Sequence, residues 1–297
     1  MKEELEAFSN FVGLDYEKFI TILVSISIFA LGILINQLLQ SISAYNRRLT
    51  HRNLCKLNHK LLIEEIEQNA SHLEATSRSL VIESNGRFDV QYGLFASLSV
   101  FKELGYENTY RAYLRGAENY VFVDRTRRIE AFNLLWKSIE TINDTYPKTK
   151  TLFGETLERH NKINENRNVH IGKAMKLIDT FMVKYHGQIP LTEPLGHFYH
   201  QRQLIVADYR DIPNINPVQT NEYLCRILDL NNSHFDLIRK YENDLNSIEL
   251  NTHIGESKIE FMNMKNNLDA SRHYYSSLAS TYKKTYQDLI AVYQELN

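Results

Sequence analysis

One block of the chain shows no hydrophobic period, because it holds almost nothing polar to alternate with. From Phe19 to Leu39, 14 of 21 residues are Ile, Leu, Val or Phe, and no charge falls between Lys18 and Arg47. At about 1.5 Å per residue a helix of this length spans roughly 30 Å, the depth of bilayer hydrocarbon. Thr21, Ser25, Ser27, Asn36 and Gln37 are the polar interruptions. The three hydroxyls can bond to carbonyls one turn back. Asn36 and Gln37 lie near one end, where headgroups begin. Each central Leu, Ile, Phe or Val favours insertion by about 0.3 to 0.6 kcal/mol. A core helix is seldom apolar on every face for this length. A cleaved export signal starts with a basic segment and ends in a small-residue site; here residues 1–18 are acidic and no such site follows. The pattern predicts a transmembrane helix over 19–39, held in lipid by Phe19, Ile22, Ile26, Phe29, Ile33 and Leu38.

Past this block the period becomes helical. Leu57, Leu61, Ile66, Ala70, Leu73 and Leu80 carry a juxtamembrane helix to about residue 83, with Asn85-Gly86 as the turn that ends it. Helices are expected over 88–104 and 108–120, with Gly105 capping the first. Another is expected over 124–145, stopped by Pro147. A long helix over 150–186 offers Leu152, Leu157, Ile163, Ile171, Met175, Ile178, Phe181 and Met182 to a core. A short helix, His197 to Tyr209, sits between two proline-bearing breaks, and 218–242 precedes a final long helix.

That final helix has the sharpest pattern. Ile254, Phe261, Leu268, Tyr275, Tyr282, Leu289 and Leu296 recur every seven residues. With 43% of residues apolar, such a run in one phase arises by chance about 0.3% of the time. The second seam position alternates Met264, Leu278 and Val292 with Ser257, Ser271 and Thr285. The seam therefore predicts packing against other helices, in this chain or a second copy, rather than a clean two-stranded coiled coil. Glycine (11) and proline (5) are scarce and strand-like alternation is nearly absent. The expected fold class is all-α: one N-terminal transmembrane helix, then a multi-helix domain with long, partly coiled-coil-like helices. The expected segments are an outer tail (1–18), the membrane helix (19–39), a juxtamembrane helix (40–83), a helical domain (84–187), a proline-containing region with a short helix (188–217) and a long-helix region (218–297).

Charge adds orientation. Residues 1–18 carry two lysines against five acids, whereas Arg47, Arg48, Arg52, Lys56 and Lys60 follow the apolar block with no acid before Glu64. Positive flanks stay in the cytoplasm. The N-terminus is therefore expected outside and the body inside, at the inner membrane of a bacterial cell. Arg47, Arg48, Arg52 and Lys56 are placed to contact headgroups, each attracted by about 1 kcal/mol to an anionic surface. The overall net charge of −2 gives no electrostatic case for nucleic acid. Cys55 and Cys225 stand in no metal or redox spacing and read as reduced thiols.

Motifs for chemistry are thin. No Glu-x-x-His, His-Glu-x-x-His, glycine-rich phosphate loop or Gly-x-Ser-x-Gly occurs. His197 and His200 stand one turn apart near Glu193 without a third ligand at a sensible spacing, which reads as a polar helix start, so no metal and no cofactor is expected. Arg52, Asn53 and His59 in "RNLCKLNH" resemble the Arg-polar-His motif of HEPN-type ribonucleases. Two turns of helix would bring guanidinium and imidazole to one face, where the resemblance implies cleavage of RNA. "RNVH" at Arg167 to His170 is a shorter version. "DRTRR" at 124–128, with Tyr120, Phe122 and Phe132 about it, pairs arginines with aromatics as single-strand binders do, but equally describes a solvated face beside core rings.

The sequence thus points to a non-enzymatic anchored interaction or scaffold module, self-associating or binding a protein partner, with membrane lipid as its other partner. Two alternatives are carried. The layout of one membrane segment and a helical body is similar to that of some abortive-infection proteins of bacterial antiviral defence, and Arg52 with His59 would serve the ribonuclease. Alkaline carbonate washing is expected to leave the full chain in the membrane pellet and to release a chain lacking residues 19–39. A C-terminal tag is expected to resist protease until the inner membrane is opened; a tag cleaved in intact spheroplasts would overturn the orientation.

Overall fold

The computed structural model describes residues 15–84, 86–91, 93–114, 125–241 and 246–296, together with Leu5 and Phe11. Asn85, Tyr120, Phe122, Asp124 and most of the expected outer tail lie outside the described residues. Among the described residues every regular element is helical: α1 (Tyr16–Ser79), a 3-10 turn (Ile82–Ser84), α2 (Ala96–Leu114), α3 (Arg125–Lys184), α4 (Pro194–Arg210), α5 (Pro217–Ser233), α6 (Phe235–Lys240) and α7 (Ser247–Leu296). The all-α expectation holds.

α1 is long and apolar enough in its N-terminal part to cross a membrane; its best 18-residue window has a mean hydropathy of 2.4 and is 6% buried. Ile22, Ile26, Phe29, Ile33 and Leu38 are exposed, while Phe19 is buried. The hydroxyls of Thr21, Ser25 and Ser27 donate to the carbonyls of Glu17, Thr21 and Leu23, each at 2.8 Å. Those bonds remove the cost of carrying free hydroxyls into an apolar medium.

The chain forms two compact units. One comprises Met1–Leu61, Ser97–Asn133 and Val292–Asn297; the other comprises Leu62–Ala96 and Leu134–Ala291.

The second unit is built on α7. Thr145 meets the Tyr282 hydroxyl at 2.9 Å, the Tyr275 hydroxyl donates to the Thr149 carbonyl, Thr156 meets Ser271 at 3.0 Å, and the Arg167 guanidinium lies over the Phe261 ring. Residue numbers rise on α3 as they fall on α7, so the two helices are antiparallel. The end of α1 does the same: Ser77 donates to the Arg272 carbonyl and Glu74 pairs with Lys283. All seven heptad residues of α7 are buried in this chain, as are Ser257, Ser271 and Thr285. Below, Ala174, Ile178, Val206, Tyr223, Leu224, Ile227, Leu250 and Ile254 form one core, and Phe181, Leu195, Phe198, Leu230 and Ile238 another.

Several expected boundaries are corrected. Pro147 does not stop a helix; it lies inside α3, which runs 60 residues. An interior proline costs a helix about 3 kcal/mol. Here Ile139 and Ile142 before it and Thr149 after it are buried, and that packing holds the helix through the break. Residues 88–91 and 93–95 are not helical. They are held along α1 instead: Asn69 accepts from the Gly93 N–H, Glu65 from the Ala96 N–H, and Ser79 donates to the Asp89 carbonyl. The two helices expected over 88–104 and 108–120 are one element, α2, kinked at Gly105, whose φ of 69° and ψ of 170° suit only glycine. The helix expected over 218–242 breaks at His234. Its start is set by Asn216, which accepts from the N–H groups of Val218 and Gln219 while the Gln219 side chain accepts from the Asn216 N–H. That is a capping box with Pro217 in the first turn. α4 begins at Pro194, earlier than expected; Gly196 sits so close to the Pro190 carbonyl that a Cβ would lie 2.1 Å from it.

The buried stripe on α1 also differs. Leu57 and Leu61 are exposed. The buried face is Cys55, Asn58, His59, Leu62, Ile66, Asn69, Ala70, Leu73, Thr76 and Ser77. Spacings of three and four recur throughout, but six of the ten members are not hydrocarbons, so hydropathy alone shifts the stripe.

Arg202 is the largest fully buried side chain, between the rings of Phe181 and Phe198 at 4.6 and 4.8 Å. It donates to Asn231 Oδ1 at 2.6 Å, while its Nε and second amino group meet no acceptor. Burial pushes its pKa down to about 10, so it stays charged at neutral pH without a carboxylate beside it. Replacing a poorly paired buried charge by an apolar side chain of similar volume is neutral or stabilising, whereas truncation opens a cavity. Arg202→Met is therefore expected to leave the unfolding free energy of the detergent-solubilised chain within about 1 kcal/mol of the parent or above it. Arg202→Ala is expected to lower it by about 2–5 kcal/mol. Equal losses in denaturant titrations would show that the guanidinium itself holds the site together.

Candidate functional site: a basic cleft beside the apolar helix

The first unit is assembled from α1 up to Leu61, α2 from Ser97, the start of α3 and the last turn of α7. Its core is Cys55, His59, Phe101, Thr109, Tyr113 and Phe132, all buried. The ring of His59 stands edge-on to Tyr113 and Tyr293, with Nδ1 at 3.5 Å from the Tyr113 hydroxyl. Tyr106 and Tyr110 stack and meet the Phe132 ring edge-on. Gly105 lets α2 turn within this core, and the Thr109 hydroxyl donates to the Gly105 carbonyl at 2.8 Å.

Arg128, from the start of α3, closes the unit. One of its amino groups donates at 3.0 Å to the carbonyls of both Tyr113 and Leu296. These lie at the C-terminal ends of α2 and α7, where unpaired carbonyls and the negative ends of two helix dipoles gather. The neighbouring Arg127 pairs with Glu295. "DRTRR" therefore caps and pairs through Arg128 and Arg127.

One side of the unit is strongly basic. Arg47, Arg48 and His51 from α1 and Arg111 from α2 line a cleft of about 510 Å³ with Gln40, Ser43, Ala44, Asn108 and Ala112. Arg111 pairs with Glu107 one turn back, with both side chains at least half exposed. Arg47, Arg48 and His51 have no ion-pair partner among the described residues. Arg52 and Lys56 continue the charge along α1. The Lys56 ammonium is held below its usual pKa by partial burial and by Arg52 and Arg128, and Arg128 is lowered by burial and by Arg52. These cations are crowded, and an anion near them would relieve repulsion.

The four residues expected to contact headgroups are thus on one stretch of helix; the structure brings Arg47 and Arg48 into the cleft and leaves Arg52 and Lys56 beside it. Arg111 and Asn108 were not legible as members, because nothing local links 108–111 to 47–51. The other motifs scatter. Arg52 is exposed but His59, its proposed catalytic partner, has no exposed surface. Arg167 is buried and donates to the Pro217 carbonyl, and His170 faces His253 with the two Nδ1 atoms at 3.3 Å. His197 and His200 are exposed on α4. Among the described residues no three His, Cys, Asp or Glu side chains gather closely enough to hold a metal ion.

Cys55 is buried in the unit and desolvation pushes its thiol pKa up to about 11. Only the thiolate reacts. At pH 7.5 maleimide is expected to label the half-buried Cys225 at least tenfold faster than Cys55 in the folded chain, with both labelled in denaturant; peptide mass spectrometry reads the difference. Compared with protein-family models, with curated proteins and with solved structures, the chain matches none.

Proposed function

We propose that the chain is a membrane-anchored, non-enzymatic interaction module whose helical body faces the cytoplasm and which associates with further copies of itself. The carrying observation is on α1. One unbroken helix leads from the apolar segment into a stretch where Leu54, Leu57 and Leu61 share a face and are 40%, 57% and 38% exposed. The heptad seam of α7 supplies no such surface, because its residues are covered within the chain. Covering the three leucines would contribute about 3 kcal/mol. That is small for partners free in solution, yet confinement to a membrane raises the effective concentration of copies on the same leaflet. The basic run from Arg47 to Lys60 supports the cytoplasmic placement of this face.

A photo-crosslinking residue placed at Leu57 is expected to give a homodimer band in native membranes at least fivefold stronger than one placed at Lys162, which is exposed on α3. Leu54→Asp with Leu57→Asp should abolish that band while helicity by circular dichroism is unchanged. Crosslinking at Leu57 no stronger than at Lys162 would sink the self-association reading.

A further inference from the structure

We infer that the basic cleft seats the phosphate of an anionic phospholipid headgroup, an inference that rests on reading Phe19–Leu39 as embedded in lipid. Gln40 follows the apolar segment directly and His51 lies twelve residues past Leu39, so the cleft spans from the hydrocarbon edge to about 18 Å above it along α1. The headgroup layer occupies about the first 5–8 Å of that span. Side chains on a helix lean toward its N-terminus, which for α1 is the membrane side. Arg47 and Arg48 therefore lean down toward the headgroups, and their long stems allow the charge to settle there.

Three arginines and a histidine line the cleft, and Arg47, Arg48 and His51 meet no carboxylate among the described residues. Glu107 holds Arg111, but an exposed pair of this kind is worth about 0–1 kcal/mol. A phosphate bonded by two guanidinium forks competes well against it. Asn108 and Ser43 add neutral donors at the rim.

The apolar face below the cleft separates a lipid from a free phosphate. Ile33 and Phe29 precede Gln40 by seven and eleven residues, so they lie on the α1 face below the cleft, and both are exposed. A phosphate held by Arg47 and Arg48 places the acyl chains of its lipid along that face. A zwitterionic lipid fits poorly, because its ammonium would sit among guanidinium groups.

The test uses the full chain in a neutral detergent, with the melting temperature read against short-chain lipids. Dihexanoyl phosphatidylglycerol is expected to give a saturable rise. Dihexanoyl phosphatidylcholine or inorganic phosphate at equal concentration should give less than a tenth of it. Arg48→Gln with Arg111→Gln should weaken the apparent Kd at least tenfold, while Lys162→Gln with Lys173→Gln, exposed on α3, changes it less than twofold. Glu107→Gln, which frees Arg111, should tighten it. An equal rise with inorganic phosphate would overturn the lipid assignment. An equal rise with phosphatidylcholine, or an unchanged Kd in the double arginine variant, would overturn the cleft as the site. Because the titration is done in micelles, it stands apart from carbonate extraction, whose failure would overturn the anchor instead.

Discussion

Burial of the α7 seam is the interaction on which the second unit depends. The six heptad residues from Ile254 to Leu289 in that unit would leave a continuous stripe in water if α7 stood alone, and each large side chain gains about 1.5–3 kcal/mol on burial. α3 and the end of α1 cover that stripe from two sides, both antiparallel to it. Once α7 is fixed, so is the register of the other two. Hydroxyl pairs such as Thr145 with Tyr282 and Thr156 with Ser271 are satisfied only at one offset, and sliding by a turn would bury them unpaired at a cost of about 1–3 kcal/mol each. Polar seam positions trade stability for register, as single polar residues do in coiled coils.

The same trade explains the buried cations. Arg167 and Arg202 lie against aromatic faces and donate to oxygens that carry no full charge. Such contacts soften desolvation without cancelling it, and burial lowers both pKa values. In the first unit Arg128 is better matched, because two helix C-termini present their carbonyls to it. Arginine thus plays two parts. Inside, it fixes positions where hydrocarbon would bind more strongly but less specifically. At the cleft, Arg47 and Arg48 meet no carboxylate among the described residues, and such charge is what an anion can use.

Function follows from what the helices leave uncovered. The seam of α7 is consumed within the chain, whereas large apolar side chains stand exposed on α1 just beyond the apolar segment. There one face carries exposed leucines and a neighbouring face carries the basic cleft. In the proposed setting, lipid would neutralise the arginines while a second copy covers the leucines.

By itself the sequence determined the long apolar helix, the all-α class, the flanking charge and the seven-residue period of α7. Each depends on local composition or on spacing within one helix, which a single chain read in order displays. It misplaced what depends on partners. Pro147 is tolerated because residues on both sides of it are packed; the N–H groups of Gly93 and Ala96 go to Asn69 and Glu65 of α1; and Leu57 and Leu61 face out because Cys55, Asn58 and His59 take the inner face. The cleft was half visible. Arg47 and Arg48 stood in a basic run, but Arg111 joins them across more than sixty residues of chain. Only tertiary packing decides which distant side chains share a face, since burial and charge proximity are properties of the folded neighbourhood and not of any segment.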